Sequence, residues 1–300
     1  MNTNAHSPTA TPAILLLGAS GLLGRAAHEA LTQGPLGSPG PMGPLGTVHA
    51  PSSRQLDLRD AAAIHQAVRQ LRPAFVVNCA GYTDVDGAED KPQAADALNH
   101  RAVATLAQAC DAAGATLVHF STDFVFDGAA GRPYTEADEA RPLGVYGQTK
   151  LAGERAVLAS PGAHLVLRVS WLHGPGGRNF FSQVGQWLQE ERELSVVADQ
   201  VSVPNRVEAI AAGLATLLQR AAAAEPGWLA ARRGLYHFSA AQAMSRFEFA
   251  QREAQRLGAA ARARLVPVSA QAFAGRAPRP MASVLDSSRL QAVFEIEIGL

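Results

Sequence analysis

Residues 13–24 read AILLLGASGLLG: five apolar positions, a glycine at 18, and two more glycines at 21 and 24. A continuous apolar run of this length, without polar alternation, is the pattern of a parallel strand buried on both faces. Glycine lets the backbone turn tightly and approach a pyrophosphate. The amphipathic stretch that follows, Leu22 to Leu31, would aim its N-terminal amides at that anion. Glycine spacing alone is a weak signal and also fits a simple tight turn. Between an apolar strand and a helix, at the head of further strand–helix units, it points to a dinucleotide cradle formed by Gly18, Ser20, Gly21, Leu22, Leu23 and Gly24.

The pattern continues outward. Apolar runs recur at AFVVNCA (74–80), ATLVHFS (115–121) and HLVLRVS (164–170), with helical segments around 60–71, 93–113 and 145–159. Strands alternating with helices predict βαβ units and an α/β, Rossmann-like doubly wound parallel sheet. After residue 175 the pattern loosens. NFFSQVGQWLQE and VEAIAAGLATLLQRAAAA read as helices, and ELSVVAD and GLYHFSA as short strands. The expected organisation is a disordered tail over 1–12, a dinucleotide-binding domain over 13–175, and a smaller mixed substrate lobe over 176–300, interleaved with the core. Gly34, Gly37, Gly40, Gly43 and Gly46 recur at the collagen period. Four triplets within a globular chain cannot build a triple helix, so 34–46 reads as a loop.

Composition excludes several classes. The chain has 300 residues, 47% hydrophobic and 17% charged, with 26 basic against 26 acidic side chains. That is a globular composition with no basic field for a nucleic-acid backbone, so no nucleic-acid partner is expected. Cys79 and Cys110, both in apolar surroundings, read as buried thiols of a reducing compartment, and no zinc-ligand cluster competes with that reading. The N-terminus lacks the features of a signal peptide, and no apolar stretch is long enough to span a membrane. A cytoplasmic protein without a membrane partner is the expectation; the sequence leaves a homodimer open.

VYGQTKLAG (145–153) places Tyr146 and Lys150 four residues apart, and Lys150 is one of only two lysines. On a helix these side chains share a face, and a phenol paired with an ammonium is an acid–base device. The ammonium is expected to lower the phenol pKa. Ser121 and Thr122, in HFSTDFVFDG, sit at the carboxyl end of a buried strand, where open α/β sheets build their sites; either hydroxyl is a candidate to polarise a substrate carbonyl oxygen. Asn78, Cys79, Ala80 and Gly81 end the strand that the dinucleotide crosses. The second strand runs into TVHAPSSRQLDL, with no carboxylate before Asp57. Ser52, Ser53 and Arg54 there suit a 2′-phosphate, so NADPH is favoured over NADH.

The G-x-x-G-x-x-G spacing together with Tyr-x-x-x-Lys resembles the extended short-chain dehydrogenase/reductases. More specifically, STDFVFDGAAGRPYTEADEARPLGVYGQTKLAGERAV (121–157) resembles the signature of the dTDP-4-dehydrorhamnose reductase family. NCAGYTDVDGAED, LRVSWLHG and RPMASVLDSSRL are similar to further family motifs in the same order. The resemblance implies NAD(P)H-dependent reduction of a 4-keto nucleotide sugar, with hydride delivered to C4, a proton from Tyr146, and Thr122 and Lys150 completing the catalytic set. It implies that Asp57 and Leu58 lie against the adenine. Asp123 and Trp171 would line the sugar pocket, and Asn99 would order the active-site helix beside the cofactor. Three departures stand out. DQVSVPN (199–205) has Ser202 and Asn205 where the family has Gly and Thr, Gly87 replaces a common Lys, and relatives add a Pro-Trp-containing helix after the equivalent of FEIEIGL.

Other functions share these features. A dehydratase would need a second carboxylate after Thr122-Asp123, where Phe124 stands. An epimerase shares the Tyr/Lys pair. The regulatory subunit of methionine adenosyltransferase resembles the same family without catalysing reduction.

Overall fold

The computed structural model describes residues 12–33, 46–176, 180–273, 275 and 277–299. The expected tail, apart from Pro12, and the Gly/Pro-rich loop, apart from Gly46, lie outside the described residues. The first half comprises β1 (Ala13–Leu17), α1 (Leu22–Gln33), β2 (Thr47–His49), α2 (Ala61–Leu71), β3 (Phe75–Asn78), α3 (Val85–Asp90), α4 (Pro92–Asp96), α5 (Ala102–Ala113), β4 (Thr116–Thr122), α6 (Val145–Ala159) and β5 (Leu165–Val169). It continues with β6 (Leu172–His173), α7 (Phe180–Trp187), β7 (Glu193–Val197), β8 (Val201–Ser202), β9 (Asn205–Arg206) and α8 (Val207–Ala223). The last elements are β10 (Gly234–His237), β11 (Met244–Ser245), α9 (Arg246–Leu257), β12 (Arg264–Val268) and α10 (Ser288–Phe294).

Six strands form one parallel sheet in the order β10-β5-β4-β3-β1-β2. Its strands are apolar throughout because both faces are covered. Successive residues of β1 point to opposite faces. Ile14 and Leu16 join a core with residues of α1, α8 and α10, while Leu15 and Leu17 join one with residues of α2 and α5. This is the expected doubly wound fold. Local signals bound the helices: Asp60 accepts from Ala63 N at the start of α2, and α5 stops at Gly114, whose φ is +66°.

The chain leaves β1 toward one edge to form β2, then returns to place β3 on the other side of β1. Ligands in such sheets bind where the winding reverses, at the carboxyl ends of the strands. The helical segment expected over 93–113 carries a π-turn at Ala97–Arg101. GLYHFSA, from the loosely patterned second half, supplies β10, which pairs with β5 at the edge of the main sheet. A smaller group packs separately: β7 with β12, β8 with β11, and α7 and α9 around Val184, Leu188, Leu194, Met244 and Phe249. Among the described residues, no helix is long and apolar enough to cross a membrane.

Candidate active site

A cavity of about 1470 Å³ opens at the carboxyl end of the sheet. Gly18, immediately after β1, has φ +78°, a conformation that residues with a Cβ rarely adopt. A Cβ there would lie 2.6 Å from Ala80 N, so the loops after β1 and β3 meet backbone to backbone. A Cβ on Gly24 would lie 2.0 Å from Gly18 O, which is how α1 packs directly under the turn. Gly18, Ser20, Gly21, Leu22 and Leu23 line the cavity, with Gly24 supporting them from behind. The first turn of α1 carries no acidic side chain to repel an anion. This cradle fits a dinucleotide pyrophosphate. Further along the same cavity, the buried Ser121 hydroxyl has no protein partner.

At one end, β2 stops at His49 and no carboxylate follows before Asp57. Arg59 grips Asp57 at 2.6 Å and holds its carboxyl down at about 2. Asp57 and Leu58 line the cavity together with Ser52, Ser53 and Arg54. Cys79, Ala80 and Gly81 form the floor at the middle. Cys79 is half-buried at the cavity wall, where burial pushes its thiol up to about 12; Cys110 is buried in the core. Both are free thiols.

The other end carries the polar side chains. Glu89 Oε1 accepts from Val145 N at 2.8 Å and so caps α6, which presents Tyr146 and Lys150 to the cavity. The Tyr146 ring stands edge-on to Phe124 with centroids 5.7 Å apart, and Tyr146 lines the same cavity as Thr122. Burial pushes the phenol up to about 12; Thr122 opposes this and the Asp123 charge adds to it. The expected lowering by Lys150 is absent. The Lys150 amine instead donates to Phe120 O at 2.6 Å and meets His119 Nε2 at 3.3 Å. Burial brings Lys150 down to about 8, against the opposing charge of Glu154. The phenol is therefore held protonated, which suits a proton donor.

Asn99 sits in the π-turn, fully buried. Its Oδ1 accepts from Tyr82 N at 2.8 Å, and its Nδ2 donates to Tyr82 O at 3.0 Å and to Thr149 Oγ1 at 3.2 Å. Thr149 Oγ1 donates in turn to Tyr146 O at 3.0 Å, so the asparagine ties the loop after β3 to α6. The extra residue of a π-turn aims this side chain inward, a recurrent use of the motif.

Asp123 Oδ2 accepts from Ser283 Oγ at 2.5 Å and Ser202 Oγ at 3.3 Å, and Oδ1 accepts from Thr122 Oγ1 at 3.2 Å. Burial still pushes this carboxyl up to about 6. Trp171 has φ +28°, an unusual backbone for a bulky residue, and its carbonyl accepts from Asn205 N at 3.0 Å. Its ring packs against Phe180 and Phe249, each 5.4 Å away between centroids, with the Arg246 guanidinium 5.0 Å from its centre.

The departures in DQVSVPN acquire distinct roles. Ser202 reaches Asp123, whereas Asn205 points into the core. Asn205 Nδ2 donates to Ser170 O at 2.7 Å and Val203 O at 3.0 Å, and its Oδ1 accepts from Ala240 N at 2.7 Å. A Cβ on Gly87 would meet Asp84 and the Tyr82 hydroxyl, which occupy the space a side chain would need. Sequence reading missed His119, Ser283 and Arg246. His119 was signalled by a lone polar residue inside an apolar strand; the other two had no local signal.

The chain matches the family model described as the RmlD substrate binding domain over residues 12–299. It is 41% identical over 287 residues to a dTDP-4-dehydrorhamnose reductase of Streptomyces griseus, covering 95% of this chain and 89% of the relative. It is 33% identical over 288 residues to the Escherichia coli K12 protein of that name, covering 94% and 92%. Its structure resembles the dTDP-4-dehydrorhamnose reductase of Bacillus anthracis solved in complex with NADP, with a TM-score of 0.82, 29% identity, and coverage of 94% and 92%. With the glycine cradle, the Thr122/Tyr146/Lys150 set and matches along nearly its whole length, the chain belongs to the RmlD substrate-binding family, that of the dTDP-4-dehydrorhamnose reductases.

Proposed function

We propose that this protein reduces the C4 ketone of dTDP-4-dehydro-L-rhamnose to the alcohol of dTDP-L-rhamnose, using NADPH. The observation that carries the reading is one continuous cavity lined at one end by the glycine cradle and at the other by Thr122, Tyr146 and Lys150. When bound, the cofactor supplies the hydride. Gly18 to Leu23 hold the pyrophosphate by backbone amides, and Ala80 and Gly81 support the crossing. Arg54 and Ser53, without a competing carboxylate at the end of β2, favour the 2′-phosphorylated form.

Tyr146 keeps its proton until a carbonyl oxygen arrives within hydrogen-bond reach, then delivers it as negative charge develops there. Thr122 shares that oxygen and polarises it. Lys150 holds the ribose side of the site. The smaller group of elements forms the substrate lobe. From that side Ser202 and Ser283 orient the Asp123 carboxylate toward sugar hydroxyls, and Trp171 supplies an apolar wall. Because Asn205 braces the loop from inside and Ser202 serves Asp123, the altered DQVSVPN segment is compatible with the family's sugar.

The test follows NADPH and NADH oxidation with enzymatically prepared dTDP-4-dehydro-L-rhamnose. Oxidation favouring NADPH, with dTDP-L-rhamnose as product, is expected. Tight NADPH binding without oxidation would reject this substrate.

A further inference from the structure

His119 lies on β4, two residues before Ser121, and is completely buried. Both ring nitrogens are engaged: Nδ1 is 3.1 Å from Asn78 Nδ2, and Nε2 is 3.3 Å from Lys150 Nζ. The direction of these contacts is set at Ala80, whose backbone N–H donates to Asn78 Oδ1 at 3.0 Å. With its oxygen so used, Asn78 turns its NH₂ toward the ring and donates to Nδ1. A neutral imidazole then carries its single proton on Nε2. Burial holds the ring well below its ordinary range, so it stays neutral.

The Nε2–H therefore points at Lys150 Nζ. An ammonium has no lone pair to receive it, whereas an uncharged amine does and still donates to Phe120 O. We propose that Asn78 and His119 form a relay, aligned by the Ala80 amide, that positions Lys150 and favours its uncharged form. The proposal rests on the reading of Lys150 as part of the reductase site. Because Ala80 lies against Gly18 at the crossing of β1 and β3, the relay links the cofactor floor to the lysine. Two other titratable groups act on Lys150: Glu154 of α6, paired with Arg168 of β5 at 2.6 Å, and Cys79 after β3. Both favour the charged amine. His119 acts through Lys150 and is a positioning residue.

The composition makes this measurable, because Lys150 and the exposed Lys91 are the only lysines. Protein labelled with ¹³C at lysine Cε gives two resonances, and that of Lys150 is followed with pH. Removing the facing N–H in His119→Leu is expected to raise the Lys150 midpoint by about one unit or more and to move the alkaline limb of kcat/KM with it. An unchanged midpoint would mean that burial alone sets Lys150, and the relay would be discarded. A second measurement needs no core substitution. The imidazole ¹⁵N shifts of His119 in the wild-type protein are expected to show the proton on Nε2, and a proton on Nδ1 would overturn the proposal. Neither the titration nor the shifts require turnover, so failure to reduce the sugar would count against the proposed reaction and leave the relay standing.

Discussion

Tyr146 and Asp123 stand side by side with opposite tasks, and burial prepares both. Burial and the neighbouring carboxylate keep the phenol protonated up to about pH 12, so the proton donor is loaded throughout the neutral range. Tyr146→Phe retains the ring packing on Phe124 and is expected to lower kcat on the order of 10²- to 10⁴-fold, the usual worth of a positioned general acid. NADPH affinity, measured by fluorescence titration, should remain near the wild-type value; turnover that survives the substitution would reassign the proton. Asp123 titrates near 6, above its ordinary value, so the protonated form accumulates as pH falls through that point. If the carboxylate accepts from the sugar, KM rises below pH 6 while kcat changes little. Asp123→Asn should give a KM about tenfold higher and flat across pH 5–7, as expected for loss of a charge-assisted hydrogen bond. A wild-type KM that is level over this interval would remove Asp123 from sugar binding.

At the scale of elements, the turn between β1 and α1 and the segment from β8 to β9 set the two ends of the site. Gly24→Ala places a methyl group where Gly18 O lies, pushing α1 off the turn. NADPH affinity is expected to fall by about tenfold or more, because the cradle works by close backbone approach. Unaltered affinity would show that the turn yields without loss. Asn205→Ala strands Ala240 N and Ser170 O in the core, while Val203 O keeps its bond from Ser170 Oγ, with an expected loss of about 2–4 kcal/mol from the unpaired buried groups. Denaturant unfolding reads this directly, and a loss below 1 kcal/mol would make the network dispensable.

The elements differ in how far they could be read beforehand. β1, β3, β4 and β5 were legible because double-sided burial demands unbroken apolar runs, and α6 was marked by its Tyr-x-x-x-Lys spacing. The π-turn at Asn99 was not, since one inserted residue leaves helical periodicity nearly intact. The partners of Lys150 and Asp123 were also hidden. Phe120 O is a backbone atom without a sequence signature, and Ser202 and Ser283 reach Asp123 from 79 and 160 positions away.

Over the whole molecule, the loops at the carboxyl end of the sheet line the cavity, and Asp123 is bonded both to Thr122 of β4 and to Ser202 of β8 in the smaller group. Ligand that binds only the folded chain stabilises it by an amount set by concentration over dissociation constant, about 2.7 kcal/mol at a hundredfold excess. With Asp57 paired to Arg59 and no carboxylate between β2 and Asp57, NADPH should raise the melting temperature more than NADH at equal concentration. Equal shifts would separate cofactor choice from this segment. The central claim is a hydride delivered to one carbon of one sugar. With NADPH carrying deuterium at the transferred C4 position and dTDP-4-dehydro-L-rhamnose as acceptor, NMR of the product should show deuterium at C4 of dTDP-L-rhamnose, one for each cofactor oxidised. Cofactor oxidation that leaves no deuterium at that carbon would contradict the account.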